Sequence, residues 1–153
     1  METKANQPHC VFCQVISGTL PASRVMEDDH CVVFMDIFPL RPGHTLVVPK
    51  VHHQYLNELE PELRNHVIDV GTRIADAIRR SDLPCDGFNF AVNEGRAAQQ
   101  TVPHCHLHVL PRKRGDLFGL VGQVLKKPIQ VLLKPNNRQQ LDRQAASIAN
   151  HLK

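Results

Sequence analysis

The segment His104-Cys105-His106-Leu107-His108 alternates three histidines with two apolar residues, and Val109 and Leu110 extend the apolar pattern. Successive side chains of a β-strand point to opposite faces, so alternate positions share one face. Drawn as a strand, the segment sets its imidazoles in a row, neighbours roughly 7 Å apart, and hides Cys105, Leu107 and Val109 behind them. Imidazole suits nucleophilic attack, proton transfer and metal binding near neutral pH. A solvated strand face is ordinarily built from Lys, Glu and Thr, so this row points to chemistry.

A second group is Cys10-Val11-Phe12-Cys13. A Cys-x-x-Cys pair is a weak signal alone, but such thiolates hold zinc when two more nitrogen or sulfur ligands converge. His52, just after Pro49-Lys50-Val51, and His104 are the candidates, with the neighbouring His53 as the alternative on the opposite face. Without a metal the pair reads as two buried free thiols, as Cys31, Cys85 and Cys105 do.

The bulk composition narrows the classes. A chain of 153 residues with 42% hydrophobic content is most simply one domain with a real core. The net charge of +3 and scattered Lys and Arg suit small anions such as nucleotides and argue against a nucleic-acid or membrane surface. No 18-residue apolar run spans a membrane, and Met1 to Pro8 carries no apolar signal core. Five cysteines without an export signal predict reduced thiols and a cytoplasmic protein.

The elements that must position these residues follow from pattern. A short helical turn is expected from Cys10 to Ser17, stopped by Gly18. Arg24–Glu27, Cys31–Asp36 and His44–Pro49 read as strands, the last two forming an antiparallel pair across a turn at Pro39, Pro42 and Gly43. Leu63, Val67, Val70, Ile74 and Ile78 predict a helix over Pro61–Arg80, with Pro61 in the first position. Phe88–Asn93 alternates like a strand, Glu94–Gln100 is a polar loop, and Val102–Pro111 is the histidine strand, limited in pairing by Pro103. Leu141, Ala145, Ile148 and Leu152 mark a C-terminal helix, with irregular connections at Pro128 and Pro135 before it. The sum is an α+β domain: a flexible tail over 1–9, a core over 10–116, and a C-terminal extension over 117–153 with a helix packed on it.

His104-Cys105-His106-Leu107-His108-Val109-Leu110 fits the histidine triad, His-φ-His-φ-His-φ-φ with φ apolar. Cys10–Cys13, Phe34-Met35-Asp36-Ile37, Pro42–Lys50, Asn93-Glu94-Gly95, Gln100-Thr101-Val102 and Leu110–Asp116 resemble other segments of the histidine triad (HIT) family, in order, over about two-thirds of the chain. The likeness is to the zinc-containing bacterial-type branch. It implies a five-stranded antiparallel sheet with two main helices, a homodimer, and hydrolysis or nucleotidyl transfer at the α-phosphate of a nucleoside phosphoramidate or dinucleoside polyphosphate. The other function class weighed is a zinc-stabilised nucleotide-binding regulatory module.

The resemblance also implies roles. His106 is the nucleophile, its other ring nitrogen donating to the His104 carbonyl, and His108 faces the transferring phosphate and its leaving group. Gln100, Thr101 and Asn93 contact phosphate or leaving group, Asp36 accepts from the ribose hydroxyls, and Phe12, Phe34 and Ile37 flank the base of a purine nucleotide such as AMP. His44 lies beside the site. Cys10, Cys13, His52 and His104 close a structural Zn²⁺. Arg112-Lys113-Arg114 either helps hold a polyphosphate or is solvated. One departure stands out: Gln99 occupies a position where the family carries Gly, a residue that permits close backbone approach and positive φ.

Overall fold

The computed structural model describes residues 7–117 and 137–152. The start of the N-terminal tail and the connections at Pro128 and Pro135 lie outside them. Helix α1 spans Val11–Ile16, α2 Pro61–Arg80 and α3 Arg138–Ala149; the strands are β1 (Arg24–Glu27), β2 (Cys31–Met35), β3 (Thr45–Pro49), β4 (Gly87–Ala91) and β5 (Leu107–Arg112). They form one five-stranded antiparallel sheet in the order β1-β2-β3-β5-β4.

Strands β2 and β3 are buried along their whole length. Both faces of the sheet are covered there, which is why their sequences run continuously apolar instead of alternating. On one face Val33, Met35, Val47, Leu107 and Val109 meet Val70, Ile74 and Ile78 of α2 and Leu141 and Ile148 of α3. On the other, Val32, Phe34, Leu46 and Val48 meet Phe12 and Val15 of α1. Helix α2 has Pro61 at its start and Arg79 and Arg80 in its last turn, where cations oppose the helix dipole.

The pairing Leu46↔His108 and Ala91↔His108 fixes which side the catalytic candidates take. His108 shares the α1 face with Leu46, while Leu107 and Val109 turn to α2. No helix among the described residues is long and apolar enough to cross a membrane.

The histidine strand begins later than its sequence pattern suggests, at Leu107 instead of Val102. Pro103 offers no N–H. The His104 N–H bends back to the Val102 carbonyl at 2.8 Å, and the Cys105 N–H leaves the ladder for the His53 carbonyl at 2.6 Å. The expected row of evenly spaced imidazoles is therefore broken: His104 turns out of it, and the His106 and His108 ring centroids close to 4.8 Å.

Helix α2 approaches β5 through Gly71, where an added Cβ would meet Leu107 Cδ2 at 2.6 Å. Leu107 is fully packed and has little room to give. Gly71→Ala should lower stability on denaturant unfolding, because overpacking of about 1–3 kcal/mol outweighs the roughly 1 kcal/mol that Ala adds in helix propensity. Gly87→Ala, where a Cβ meets nothing within 4 Å, should be tolerated.

Candidate active site

The break in the strand aims His104 and His106 at different partners. His104 is fully buried. Its Nε2–H donates to the Pro49 carbonyl at 2.8 Å, which leaves the lone pair on Nδ1. That Nδ1 lies 3.5 Å from Cys10 Sγ and 3.7 Å from Cys13 Sγ, and His52 Nδ1 lies 3.3 Å from Cys13 Sγ. The ligand atoms of Cys10, Cys13, His52 and His104 all fall within 4.8 Å of one another.

This set fits a tetrahedral zinc. Zn–S and Zn–N bonds of ordinary length span an S···N edge of about 3.5 Å, matching these separations. The hydrogen bond from His104 Nε2 to a carbonyl is the outer contact that orients a metal-binding imidazole. Burial holds the His104 imidazole down to about 4, so the ring is neutral and able to coordinate. Burial and the neighbouring Cys10 thiol push the Cys13 thiol up, a penalty a divalent cation would reverse by favouring the thiolate. His53, the alternative ligand, instead contributes its carbonyl to Cys105.

His106 is 5% exposed, its ring packed nearly perpendicular to that of Phe12 with the centroids 5.0 Å apart. Its Nδ1 lies 2.6 Å from the His104 carbonyl oxygen. A carbonyl only accepts, so Nδ1 carries the proton and Nε2 the lone pair. The Leu40 N–H donates to His44 Nδ1 at 3.1 Å, and His44 Nε2 lies 2.9 Å from His108 Nδ1. By the same logic neutral His44 is protonated at Nε2 and donates to His108, whose own proton then sits on Nε2. Asp36 Oδ2 is 3.6 Å from His44 Nε2, while Oδ1 accepts from the Phe38 N–H at 2.9 Å. The chain Asp36–His44–His108 thus links the end of β2 to β5.

The remaining sequence candidates are placed unequally. Phe12 and Phe34 pack edge to face at 5.5 Å on the α1 side, whereas Ile37 is 38% exposed beyond β2. Asn93 lines a pocket of about 260 Å³ beside His44 and His108. Gln100 ties its loop to the segment after β3: its Oε1 accepts from the Gly95 N–H at 2.8 Å and its Nε2 donates to the Gln54 carbonyl at 3.0 Å. Thr101 is exposed. Arg112 is bound to Asp116 at 2.5 Å and to Asn89 Oδ1 at 2.5 Å, so it is not a solvated charge. The Arg112 guanidinium and the Lys113 N–H hold the Asp116 carboxyl down to about 2.

Gln99 adopts φ +63° and ψ +32°, the left-handed region, and is the one non-glycine with positive φ among the described residues. The backbone keeps the conformation suited to Gly, at a cost to Gln of about 1–2 kcal/mol. Sequence reasoning missed Leu40, Asn89, Ala91, Ala98 and Leu110, which also line the pocket. A signal for Asn89 existed: the alternation of Phe88–Asn93 sets Asn89, Ala91 and Asn93 on one face, and the register Asn89↔Leu110 brings that face beside His108.

The hydrogen-bond network dictates proton positions. Two-bond ¹⁵N–¹H spectra at neutral pH should show His106 protonated at Nδ1 and both His104 and His44 at Nε2. A His106 protonated at Nε2 would remove its nucleophilic lone pair.

Residues 17–115 match the family profile described as HIT domain. A HIT-like protein of Mycobacterium tuberculosis is 44% identical over 119 residues, covering 77% of this chain and 82% of that one. The adenylylsulfatase HINT3 of Arabidopsis thaliana is 38% identical over 116 residues, 76% of this chain and 58% of its own length. The adenosine 5′-monophosphoramidase HNT1 of Saccharomyces cerevisiae is 32% identical over 112 residues, 73% of this chain and 67% of its own. Among solved structures, a zinc-bound histidine triad family protein of Mycobacterium smegmatis superposes with a TM-score of 0.76 at 39% identity, covering 94% of this chain and 93% of that one. With its triad, its five-stranded sheet and these relatives, the chain belongs to the histidine triad (HIT) family.

Proposed function

We propose that this chain hydrolyses adenylyl compounds at the α-phosphate, as phosphoramidates or dinucleoside polyphosphates, through a nucleotidyl group carried on His106. The product is a purine nucleotide such as AMP. The observation that carries this reading is the 2.6 Å contact between His106 Nδ1 and the His104 carbonyl, which keeps Nε2 unprotonated and ready to attack. The names of two relatives, an adenylylsulfatase and an adenosine 5′-monophosphoramidase, support an adenylyl substrate.

The steps follow from the proton positions. His106 Nε2 attacks the α-phosphorus, and the bond from phosphorus to the leaving nitrogen or oxygen breaks. Where the leaving group is an amine, the His44–His108 pair enters this step with one extra proton, its charge balanced by the Asp36 carboxylate 3.6 Å from His44 Nε2, passes that proton to the amine and becomes the neutral pair. Water then attacks the phosphorus, the N–P electrons return to Nε2, and the water proton restores the pair. Splitting one displacement into two lets a better leaving group serve the hydrolysis step. In this reading the Asp36 carboxylate and the Phe12–Phe34 surface take the nucleoside end, and Asn93, which lines the pocket beside His108, and Thr101 contact phosphate and leaving group.

Cys10, Cys13, His52 and His104 would hold a zinc ion whose chemistry is structural: a closed Cys₂His₂ site leaves no position for substrate. The ion would tie α1 and the Pro49–His53 segment to the residue whose carbonyl orients His106.

Mass spectrometry after quenching with adenosine 5′-phosphoramidate should show a nucleotide-sized adduct on the wild type and none on His106→Gly. That variant should bind AMP yet lose on the order of a thousandfold or more in turnover. AMP binding with neither adduct nor turnover in the wild type would make the chain a binding module instead. Zinc analysis of the purified protein should find one ion per chain. If free zinc stands about a thousandfold above its Kd, chelation removes roughly 4 kcal/mol, seen as a fall in Tm on the order of 10 °C. A Cys13→Ser variant should show the lower Tm without chelator.

A further inference from the structure

Accepting the hydrolase function proposed above, we infer that Gln99 turns the pocket beside His108 into a leaving-group pocket. It selects leaving groups that carry an uncharged hydrogen-bonding group, such as a carboxamide, over those that carry an anion.

The pocket has a volume of about 260 Å³ and touches both His44 and His108. Its other polar lining residues are Asn89, Asn93 and Gln99, each bearing a carboxamide, and among the described residues no Lys, Arg, Asp or Glu lines it. A carboxamide offers an acceptor and two donors in one plane and no net charge, so it matches a neutral partner of mixed character. A carboxylate, sulfate or polyphosphate end would call for a cation. One guanidinium touches a lining residue: Arg112 donates to Asn89 Oδ1 at 2.5 Å. Its charge is already answered by Asp116 at 2.5 Å.

Among the three amides Gln99 differs from its neighbours. Arg112 fixes the Asn89 oxygen, and Asn93 is half-buried at the end of β4. Gln99 is exposed, and among the described residues no hydrogen bond engages its carboxamide. It stands at φ +63° in the same loop where Gly95 stands at +77°. Glycine would hold that backbone without strain. The side chain therefore earns no packing return for its unfavourable backbone. A strained residue lining a pocket is the observation from which a functional role is inferred.

The test uses two adenosine 5′-phosphoramidates of nearly equal size, one whose leaving amine is β-alaninamide and one whose leaving amine is β-alanine. In the wild type, kcat/KM should favour the amide roughly fivefold, the scale of one hydrogen bond. Gln99→Gly should bring the ratio close to one. Gln99→Lys, which bears the same backbone strain and a similar length, should invert it toward the carboxylate. Taking the ratio within each variant cancels differences in folded fraction. A wild type that hydrolyses both substrates without discrimination, or a ratio unmoved in both variants, overturns the role of Gln99 and leaves the hydrolase function standing. A wild type that binds AMP and hydrolyses neither substrate overturns the hydrolase function and the leaving-group pocket with it.

Discussion

The arrangement of this molecule turns on one residue used at both ends. The His104 carbonyl accepts from His106 Nδ1 at 2.6 Å. Its ring donates to the Pro49 carbonyl at 2.8 Å and presents Nδ1 to the thiols of Cys10 and Cys13. The backbone of His104 therefore sets the tautomer of the next histidine while its side chain anchors that backbone to two other parts of the chain. A rotation of this one peptide would disturb the Cys/His cluster and the reactive imidazole together. The ring is buried, and every polar atom of it has a partner, which is the condition under which a buried polar group stabilises a single arrangement.

The sheet then divides labour between its faces. The α2 face is a continuous apolar layer, with Gly71 letting helix and strand close on each other. The α1 face is apolar only over β2 and β3. Over β5 and β4 it carries His108, Leu110, Asn89 and Ala91 and opens into the pocket. A rigid scaffold on one side and an incomplete cover on the other place the imidazoles at a boundary between dry core and solvent. There, electrostatic interactions gain strength without closing off the substrate.

Much of this was legible in the chain. Cys31–Asp36 and His44–Pro49 read as strands because β-branched and aromatic residues crowd them, and the strands that form, Cys31–Met35 and Thr45–Pro49, each stop one residue short at the connecting turn. Pro61–Arg80 read as a helix to the residue because its apolar stripe and its Pro start agree. Residue type offered the Cys10–Cys13 pair with His52, His53 and His104 as candidates, the family resemblance closed the set on Cys10, Cys13, His52 and His104, and the fold brings the ligand atoms of those four together. The turn of His104 out of the strand was not legible. It depends on the Cys105 N–H finding the carbonyl of His53, a partner that local periodicity cannot name. The pocket beside His108 was hidden for a related reason: Asn89 sat on a readable face of β4, but only the β4–β5 register decides what that face meets. Gln99 was visible as a departure, and the backbone conformation it keeps is the reason Gly was expected there.

Gly43 sits in the turn that delivers His44 to His108, and its N–H donates to Gln144 Oε1 of α3 at 3.0 Å, across a separation of 101 residues. The turn ahead of β3 is thus tied to α3, the last helix among the described residues. During synthesis the sheet strands and α2 emerge well before Gln144 does. Closing so long a loop is among the slowest contacts a chain makes, since its entropy must be met before the bond returns anything. A nascent chain therefore carries its three histidines before it has the clamp on the turn that aims the fourth. The order of translation, and not only the fold, bears on when the turn before β3 and the imidazoles beside it take up their final arrangement.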